Sequence, residues 1–261
     1  MNNISMYDQF GDDYDRFVNW EQRLSNEIPF LDCRFSELKN SSDQPSSILD
    51  AACGTGYHLI ALAKKGYECT GVDSSQEMIR VAQRNADKAR QEIDFHQTEF
   101  GKLENALGGL KFNGLICLGN SLPHQLESEM LQKTLEDFKS VIKLNGKLII
   151  QNRNFDKVMA ERSRWMPPQT YREGNKTWIF NRFYDFDNDG LVTFNVQKLF
   201  SSAETEFSHQ VISTRLWPMS RNVLVTHLHK SGFKNLQLFG DLEGNSFDQE
   251  RSENLVIECR A

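Results

Sequence analysis

The chain of 261 residues contains no apolar run that approaches the ~20 residues needed to span a membrane. Its first residues lack the basic and apolar segments of a signal peptide, and the sequence shows neither an internal repeat nor a low-complexity segment. Apolar residues make up 39% of the chain and charged residues 25%, as is typical of soluble globular proteins. We therefore expect a cytoplasmic protein with no membrane partner.

Basic residues are fewer than acidic ones: the chain has 30 Lys and Arg and 36 Asp and Glu, for a formal net charge of −6. Binding to a nucleic-acid backbone needs clustered basic residues that displace counterions from the phosphates. The composition therefore argues against a nucleic-acid partner and favours a small-molecule substrate. It leaves the choice between a monomer and a homo-oligomer open.

Cysteine is sparse and shows no paired spacing. The chain has five cysteines, an odd number, and no Cys-x-x-Cys pair. They are Cys33, Cys53, Cys69, Cys117 and Cys259. Since most of them lie in strand-like apolar contexts, we predict reduced packing residues, and we predict no metal site.

From residue 47 onward, strand patterns alternate with helical patterns, which is the order of an α/β domain. Strands are predicted at residues 48–51, 68–72, 93–96, 114–118 and 147–151, and near 236–239 and 255–259. Helices are predicted at residues 57–65, 75–90 and 127–143, near Leu103, and after Pro218. Before this domain, residues 7–38 have apolar side chains at helical spacing, and a polar linker, Asn40–Ser46, leads to the first strand.

The alternation breaks at Asn152. Residues 177–186, 191–200 and 206–216 read as three strands, and the turn Asp187-Asn188-Asp189-Gly190 is a hairpin signal. We predict an antiparallel β insertion after the fifth strand. The chain would then comprise an N-terminal helical region at residues 1–46, the main α/β domain at residues 47–152 and 217–261, and the insertion at residues 153–216, which would cover the substrate site.

One stretch, Ile48-Leu49-Asp50-Ala51-Ala52-Cys53-Gly54-Thr55-Gly56, joins the first strand to the helix that begins at Tyr57. Gly54 and Gly56 permit backbone angles and a close ligand approach that a Cβ atom would prevent. Asp73, seventeen positions after Gly56, ends the second strand, where a carboxylate can accept both hydroxyls of a ribose. Together these residues predict an adenosine site.

A third glycine is missing from this turn. A dinucleotide-binding fold places one three residues beyond the second glycine, where this chain has Leu59. The turn instead has Asp50 upstream, which suits a cofactor with a cationic ammonium and no phosphate. We therefore predict S-adenosylmethionine as the cofactor. An NAD-dependent oxidoreductase and a non-catalytic S-adenosylmethionine-binding module are the alternatives from other functional classes.

These residues resemble the first motif and the second-strand acid of the seven-stranded S-adenosylmethionine-dependent methyltransferases. Two further stretches are similar to the glycine N-methyltransferases and the glycine/sarcosine N-methyltransferases: Ile116-Cys117-Leu118-Gly119-Asn120-Ser121 with His124 after it, and Arg153-Asn154-Phe155-Asp156. The resemblance covers most of residues 47–200 and is strongest over 48–78 and 114–156. It implies an α/β fold with a Rossmann-like, doubly wound, mostly parallel seven-stranded sheet, and a methyltransferase that acts on a small molecule.

The resemblance also implies which residues bind each part of the cofactor. They are Ala52, Gly54 and Gly56 beside Asp50 for the methionine, Asp73 and Ser74 for the ribose, Met78, Phe100 and Glu99 for the adenine, Leu118 at the end of the fourth strand, and Arg23 for the carboxylate.

Candidates for the substrate site come from the loops after the fourth and fifth strands, from the N-terminal region and from the insertion. They are Asn120, His124, Asn154, Tyr14, Arg182 and Arg215. A guanidinium can bind a carboxylate through two parallel hydrogen bonds, and Arg153 and Arg172 are open alternatives for that role.

The predicted reaction is the in-line attack of a neutral amine on the sulfonium methyl group. Near-attack positioning can supply about 7–11 kcal/mol, so no covalent nucleophile is required. The amine must lose its proton to solvent, to water held by Asn154 or to His124, and these two residues are the catalytic candidates. We predict glycine, sarcosine or a related amine as the acceptor, with another small O- or N-acceptor left open.

Overall fold

The computed structural model describes residues 6–11, 13–38, 45–202 and 206–261. Its strands are β1 (Ser47–Asp50), β2 (Glu68–Asp73), β3 (Asp94–Gln97), β4 (Phe112–Cys117), β5 (Ile142–Arg153), β6 (Gln169–Glu173), β7 (Lys176–Phe186), β8 (Val192–Ser202), β9 (Ser208–Leu216), β10 (Lys234–Phe239) and β11 (Asn254–Arg260). Its α-helices are α1 (Met6–Phe10), α2 (Asp13–Phe17), α3 (Trp20–Ser36), α4 (Tyr57–Ala63), α5 (Gln76–Ala89), α6 (Leu103–Ala106), α7 (Ser128–Val141), α8 (Phe155–Glu161) and α9 (Arg221–Lys230). Most of the predicted linker, residues 40–44, lies outside the described residues.

Seven strands form one sheet in the order β10-β11-β5-β4-β1-β2-β3. The pairs from β3 to β5 are parallel, whereas β11 runs antiparallel to both β5 and β10. The strand order reverses between β1 and β4, so a crevice forms at the carboxyl ends of these two strands, where open α/β sheets bind ligands. This arrangement confirms the predicted Rossmann-like, mostly parallel seven-stranded sheet.

The central strands are buried on both faces, and their consecutive side chains enter two different apolar clusters. In β1, Ile48 packs in a cluster with Phe35 of α3, and Leu49 packs in a cluster with Phe138 of α7. This division follows from the two-residue period of a strand. Helices on both faces therefore hold the strand ends, and with them the crevice, in a fixed position.

The N-terminal region is divided into three helices, where the sequence predicted one helical region. Helices α1 and α2 have five residues each, and α3 has 17. Gly11, just after α1, has a φ of +47°, a conformation that ends a right-handed helix. Helix α3 lies along α4, and its Asp32 accepts hydrogen bonds from Lys65 Nζ and from the Tyr67 hydroxyl, both at 2.8 Å.

The insertion forms a separate antiparallel sheet in the order β6-β7-β8-β9. The three predicted strands correspond to β7, β8 and β9, and Asp187 N donates to Leu191 O at 3.0 Å to close the predicted hairpin. The sequence pattern did not predict β6 or α8. Strand β6 is a polar edge strand with mostly exposed residues, so no alternation of apolar side chains marks it. The division of the chain into three segments stays a prediction.

None of the helices in the described ranges is both long and apolar enough to cross a membrane. All five cysteines are free thiols, which confirms their predicted unpaired state. Four of them are buried, and only Cys33, on α3, is exposed.

Candidate active site

Two adjoining cavities open where β1, β2 and β4 end. The first, the motif cavity, has a volume of about 420 Å³ and is lined by the glycine turn, Asp50, Asp73 and side chains that follow β2 and β3. The second, the insertion cavity, has a volume of about 460 Å³ and lies among the N-terminal helices, the end of β5 and the insertion. The residues that line both cavities form a shared wall: Met6, Tyr7, Tyr14, Arg23, Gly119 and His124.

The glycine turn has a backbone that only glycine adopts without strain. Gly54 has a φ of +52° and Gly56 a φ of +83°. A Cβ atom on Gly56 would also lie 3.2 Å from both Ala82 Cβ and Phe95 Cζ, so this residue packs closely against the domain core. Gly54, in contrast, faces the motif cavity.

Two carboxylates at the strand ends hold this turn. Asp73 accepts hydrogen bonds from the backbone nitrogens of Gly54 and Ser75, both at 2.9 Å. Asp50 accepts one from the backbone nitrogen of Ala52 at 3.1 Å. Because both carboxylates also line the motif cavity, a ligand there meets two acidic groups whose positions are fixed by the backbone.

Burial raises the pKa of both acids. The pKa of Asp50 rises from 3.8 to about 7, because burial outweighs the hydrogen bond from Ala52 and the negative charge of Asp73 adds to the effect. Burial also raises the pKa of Asp73, against the opposing hydrogen bonds from Ser75 and Gly54. A cation nearby would favour the ionised forms, so the motif cavity is suited to a positively charged ligand.

The far end of the motif cavity presents a thioether and an aromatic ring. Met78 is buried at the start of α5, and Phe100 packs edge-on against Phe138, with 5.5 Å between the ring centroids. Glu99 is exposed and accepts from Lys102 Nζ at 2.9 Å. Ser74, Leu118 and Thr98 complete this lining. Such surroundings suit a flat heterocycle with polar edges.

A hydrogen bond between two distant segments defines the shared wall. The Tyr7 hydroxyl and His124 Nε2 are 2.9 Å apart, and their rings meet edge to face with 5.5 Å between centroids. Burial lowers the pKa of His124 to about 4 and raises that of Tyr7, so both side chains are neutral near pH 7. The pair therefore places neutral hydrogen-bonding groups between the two cavities.

The insertion cavity contains two arginines with unused hydrogen-bonding capacity. The Nε atoms of Arg153 and Arg182 are both buried and lack a hydrogen-bond partner among the described residues. Arg153 Nη2 donates to Glu253 at 2.9 Å, and Arg182 Nη2 donates only to the backbone oxygen of Pro167, at 3.3 Å. The Asn120 side chain accepts from the Arg153 backbone nitrogen at 2.9 Å. The lining also contains the acids Glu27, Asp241 and Glu243, so its charge is mixed, and the two guanidinium groups are the part of it that can bind a carboxylate.

Most of the residues predicted for the site line one of the two cavities. Those in the motif cavity are Asp50, Ala52, Gly54, Asp73, Ser74, Met78, Glu99, Phe100 and Leu118; Tyr14, Arg23 and His124 belong to the shared wall, and Asn120 and Arg182 to the insertion cavity.

Three predicted residues lie away from both linings. Gly56 starts α4 behind the turn. Asn154 is buried as the N-cap of α8, and its side-chain amide donates to the backbone oxygens of Gln249 and Ser252, both at 2.9 Å, which leaves no donor for a ligand. Arg215 is half-exposed and pairs with Asp187 and Asp189 of the hairpin turn.

The sequence analysis did not identify Tyr7, Glu27 or His58 as site residues. Tyr7 was assigned to helix packing, and its hydrogen bond to His124 spans 117 positions, which no local pattern reveals. Glu27 contacts both His58 and Arg23. For Glu27 and His58, the one available signal in the sequence was a histidine in the first turn of α4, before the buried Leu59.

Comparison with known proteins gives a consistent result. A family model described as a methyltransferase domain matches residues 48–146. The glycine/sarcosine N-methyltransferase of Aphanothece halophytica is 30% identical over 235 residues, which cover 90% of this chain and 82% of that protein. The enzyme of the same name from Halorhodospira halochloris is 28% identical over 93% of this chain and 84% of its own.

Among solved structures, an S-adenosylmethionine-dependent methyltransferase from Clostridium acetobutylicum ATCC 824 superposes with a TM-score of 0.76. The alignment covers 98% of this chain and 99% of that one, at 16% sequence identity. At that identity, the similarity shows a common fold.

Proposed function

Because the chain belongs to the S-adenosylmethionine-dependent methyltransferases, in the family of the glycine/sarcosine N-methyltransferases, we propose that it methylates the nitrogen of a small amine that carries a carboxylate. The motif cavity would bind the methyl donor, and the insertion cavity the acceptor. The observation that carries this acceptor class is that the side chains of Arg153 and Arg182 both line the insertion cavity. Glycine and sarcosine are the first candidates.

The motif cavity fits S-adenosylmethionine in its chemistry. Asp73 presents a carboxylate for the ribose hydroxyls, Met78 and Phe100 present faces for the adenine, and Asp50 presents an acid for the ammonium. Arg23 would meet the carboxylate from the shared wall. Gly54 leaves room for the methionine part because it has no Cβ. When bound, S-adenosylmethionine supplies an electrophilic methyl group on a sulfonium.

Transfer would occur at the shared wall. The acceptor nitrogen forms a bond to the methyl carbon as the carbon–sulfur bond breaks, S-adenosylhomocysteine is released, and the proton of the amine passes to water. Tyr7 and His124 would border the reacting atoms from the side of the N-terminal helix α1 and the loop after β4. Holding both substrates in near-attack geometry can supply about 7–11 kcal/mol of the barrier reduction.

The pKa of His124 bears on the predicted catalytic role of this residue. A pKa of about 4 makes His124 a weak proton acceptor compared with an amine. We therefore propose that His124 positions Tyr7 through their hydrogen bond and that solvent removes the proton. Asn154, whose amide is used by the backbone at residues 249 and 252, would act by fixing the segment beside Arg153.

The decisive experiment measures transfer of a labelled methyl group from S-adenosylmethionine to matched acceptors. Glycine and sarcosine should be methylated, whereas glycinamide, which has the same shape but no carboxylate charge, should be a poor acceptor. Equal rates with glycine and glycinamide would contradict the carboxylate assignment. No transfer to any amine, despite donor binding, would favour a non-catalytic binding module.

Neutralising either arginine should weaken acceptor binding. Arg153→Gln and Arg182→Gln should each raise the KM for glycine about tenfold, because a hydrogen bond to a charged group contributes about 1.5–3 kcal/mol. The Kd for S-adenosylmethionine should stay within about twofold, since neither residue lines the motif cavity. Arg164→Gln is the matched control, because Arg164 pairs with Asp185 on the same insertion, outside both linings. An unchanged KM in both test variants would exclude this binding mode.

Donor affinity should depend on pH through Asp50. The folded pKa of about 7 lies above the ordinary 3.8, so the stability that protonated Asp50 contributes is complete below about pH 4 and is lost as pH rises through about 7. A bound cation favours the carboxylate and offsets that loss. Between about pH 6 and 7.5, calorimetry should show S-adenosylmethionine binding strengthen about fivefold with release of a proton. Asp50→Asn should remove the part of this pH dependence that is due to Asp50, and a flat profile in the unmodified protein would refute the contact.

The volume of the insertion cavity favours a second candidate, an amine larger than glycine. About 460 Å³ falls within the range of about 300–1,000 Å³ typical of pockets for larger ligands, whereas glycine has few atoms to fill it. Larger amino acids therefore belong in the acceptor panel.

The net charge of −6 supports the proposal that nucleic acid is not the acceptor. We also propose a cytoplasmic location.

A further inference from the structure

Three largely buried polar side chains form a hydrogen-bonded chain beside the shared wall: His58 lines the motif cavity, Glu27 lines the insertion cavity and Arg23 lines both. His58 Nε2 lies 2.5 Å from Glu27 Oε2, and Arg23 Nε donates to Glu27 Oε1 at 3.0 Å and to Oε2 at 3.1 Å. Arg23 and Glu27 are one turn apart on α3, and His58 is in the first turn of α4, next to the glycine motif. These hydrogen bonds therefore connect the glycine motif to Arg23, the one of the three residues that belongs to the shared wall.

The geometry leaves the outer end of Arg23 available. Only its Nε is used by Glu27, and neither Nη group has a hydrogen-bond partner among the described residues. The guanidinium carbon lies over the Trp20 ring, 5.3 Å from the centroid, and Arg23 borders both cavities. Trp20 is itself stacked on Tyr57, with centroids 4.9 Å apart. The guanidinium is thus restrained at one nitrogen and one face, with its Nη groups unused.

The burial of the chain makes these contacts strong. The side chain of His58 is 4% exposed and that of Glu27 is 13% exposed. Burial alone would raise the pKa of Glu27, but its hydrogen bonds with His58 and Arg23 and the positive charge of Arg23 outweigh burial, and the pKa is lowered. Burial and the charge of Arg23 lower the pKa of His58. Near pH 7, an ionised Glu27 is therefore held by a neutral imidazole on one side and a guanidinium on the other.

We infer that Glu27 and His58 are positioning residues that fix the Arg23 guanidinium so that its Nη groups meet the carboxylate of the methyl donor. The inference rests on the proposed contact between Arg23 and that carboxylate. A free arginine side chain loses rotamer entropy when it is ordered by a ligand, and binding to an arginine that is already ordered avoids this loss. These two residues would thereby raise affinity for the amino-acid end of the donor through the position of Arg23, and His58 also lines the motif cavity.

Two probes separate this role from general support of the fold. S-adenosylhomocysteine contains the amino-acid carboxylate, and 5′-methylthioadenosine contains the same nucleoside and sulfur without it. Glu27→Gln keeps the shape of the side chain and removes its charge. Calorimetry should show about fivefold weaker binding of S-adenosylhomocysteine to Glu27→Gln and an unchanged Kd for 5′-methylthioadenosine. An equal loss of affinity for both probes, or no loss of affinity for either, would overturn the inference.

Substitutions at His58 give an independent test. His58→Leu removes the hydrogen-bond partner of Glu27 and should weaken the binding of S-adenosylhomocysteine about threefold. The binding of 5′-methylthioadenosine should again be unchanged. His58→Gln, whose amide can donate toward the position of Nε2, should restore most of that loss. Equal affinities of His58→Leu and His58→Gln for S-adenosylhomocysteine would contradict a role for this hydrogen bond.

Two controls locate the cause of any failure. Asp32→Asn removes a carboxylate on the same helix that contacts Lys65 and Tyr67, away from Arg23, and should leave both Kd values unchanged. Arg23→Gln should weaken S-adenosylhomocysteine about tenfold and spare 5′-methylthioadenosine. If Arg23→Gln weakens both probes equally or neither, the Arg23 contact is wrong and the inference fails with it. If Arg23→Gln discriminates between the two probes but Glu27→Gln does not, the contact between Arg23 and the donor carboxylate stands and the positioning role of Glu27 is refuted. This conclusion does not depend on the identity of the acceptor.

Discussion

Replacing Asp73 with asparagine should weaken S-adenosylmethionine binding about a hundredfold while the protein stays folded. We expect the carboxylate to form two charge-assisted hydrogen bonds to the ribose, each contributing about 1.5–3 kcal/mol, and about 1.4 kcal/mol corresponds to a factor of ten. The asparagine oxygen can still accept the backbone N–H of Ser75 or Gly54, which Asp73 holds at 2.9 Å. Calorimetry measures the affinity, and thermal unfolding checks the fold.

The matched control for this substitution is Asp94→Asn. Asp94 is an exposed acid at the start of the neighbouring strand β3, outside the lining of the motif cavity. Its removal changes the net charge by the same amount and should leave donor affinity unchanged. If Asp73→Asn bound the donor as tightly as Asp94→Asn does, the ribose contact would have to lie elsewhere.

A second large effect concerns stability. Lys147 is completely buried in β5, and its Nζ pairs with Glu258 at 2.9 Å and with Glu37 at 2.6 Å. Lys147→Met would leave the buried carboxylate of Glu258 with Arg34 alone, at 3.2 Å. Removing one partner of a buried ion pair typically costs about 3–5 kcal/mol, and we expect a loss of about 3 kcal/mol in the free energy of unfolding by denaturant titration.

The double variant Lys147→Met with Glu258→Gln tests the reason for that loss. Removing both charges avoids an uncompensated buried carboxylate, so the double variant should be more stable than Lys147→Met alone. Cofactor affinity should not change in either, because neither residue lines a cavity. A double variant less stable than the single one would show that packing, rather than the unpaired charge, causes the loss.

The sheet and the position of the motif cavity were predictable because their signals are local. Buried runs such as Ile48–Ala51 mark parallel strands by themselves, and the spacing from Gly54 to Asp73 spans a single β-α-β unit. The hairpin turn at Asp187–Gly190 is equally local. In each case, the residues that decide the structure are close together in the sequence.

The insertion cavity was less predictable because it is assembled from distant segments. Tyr7 contacts His124 across 117 positions, and the cavity with Arg153 and Arg182 exists only once the insertion folds back over the strand ends. Arg182 and Arg215 looked equivalent in the sequence. Their register on different strands sends the first into the cavity and the second to the ion pairs of the hairpin turn, and one-dimensional spacing does not contain that difference.

If the two cavities bind the donor and the acceptor as proposed, the shared wall would couple the two substrates thermodynamically. Tyr7, Tyr14 and Arg23 contact whatever occupies either cavity, so ordering them for one ligand reduces the entropy that the other must lose. Linkage then requires that the factor by which the donor tightens acceptor binding equals the factor by which the acceptor tightens donor binding. Positive cooperativity of this kind would favour the ternary complex over either binary complex and limit unproductive occupation of the site.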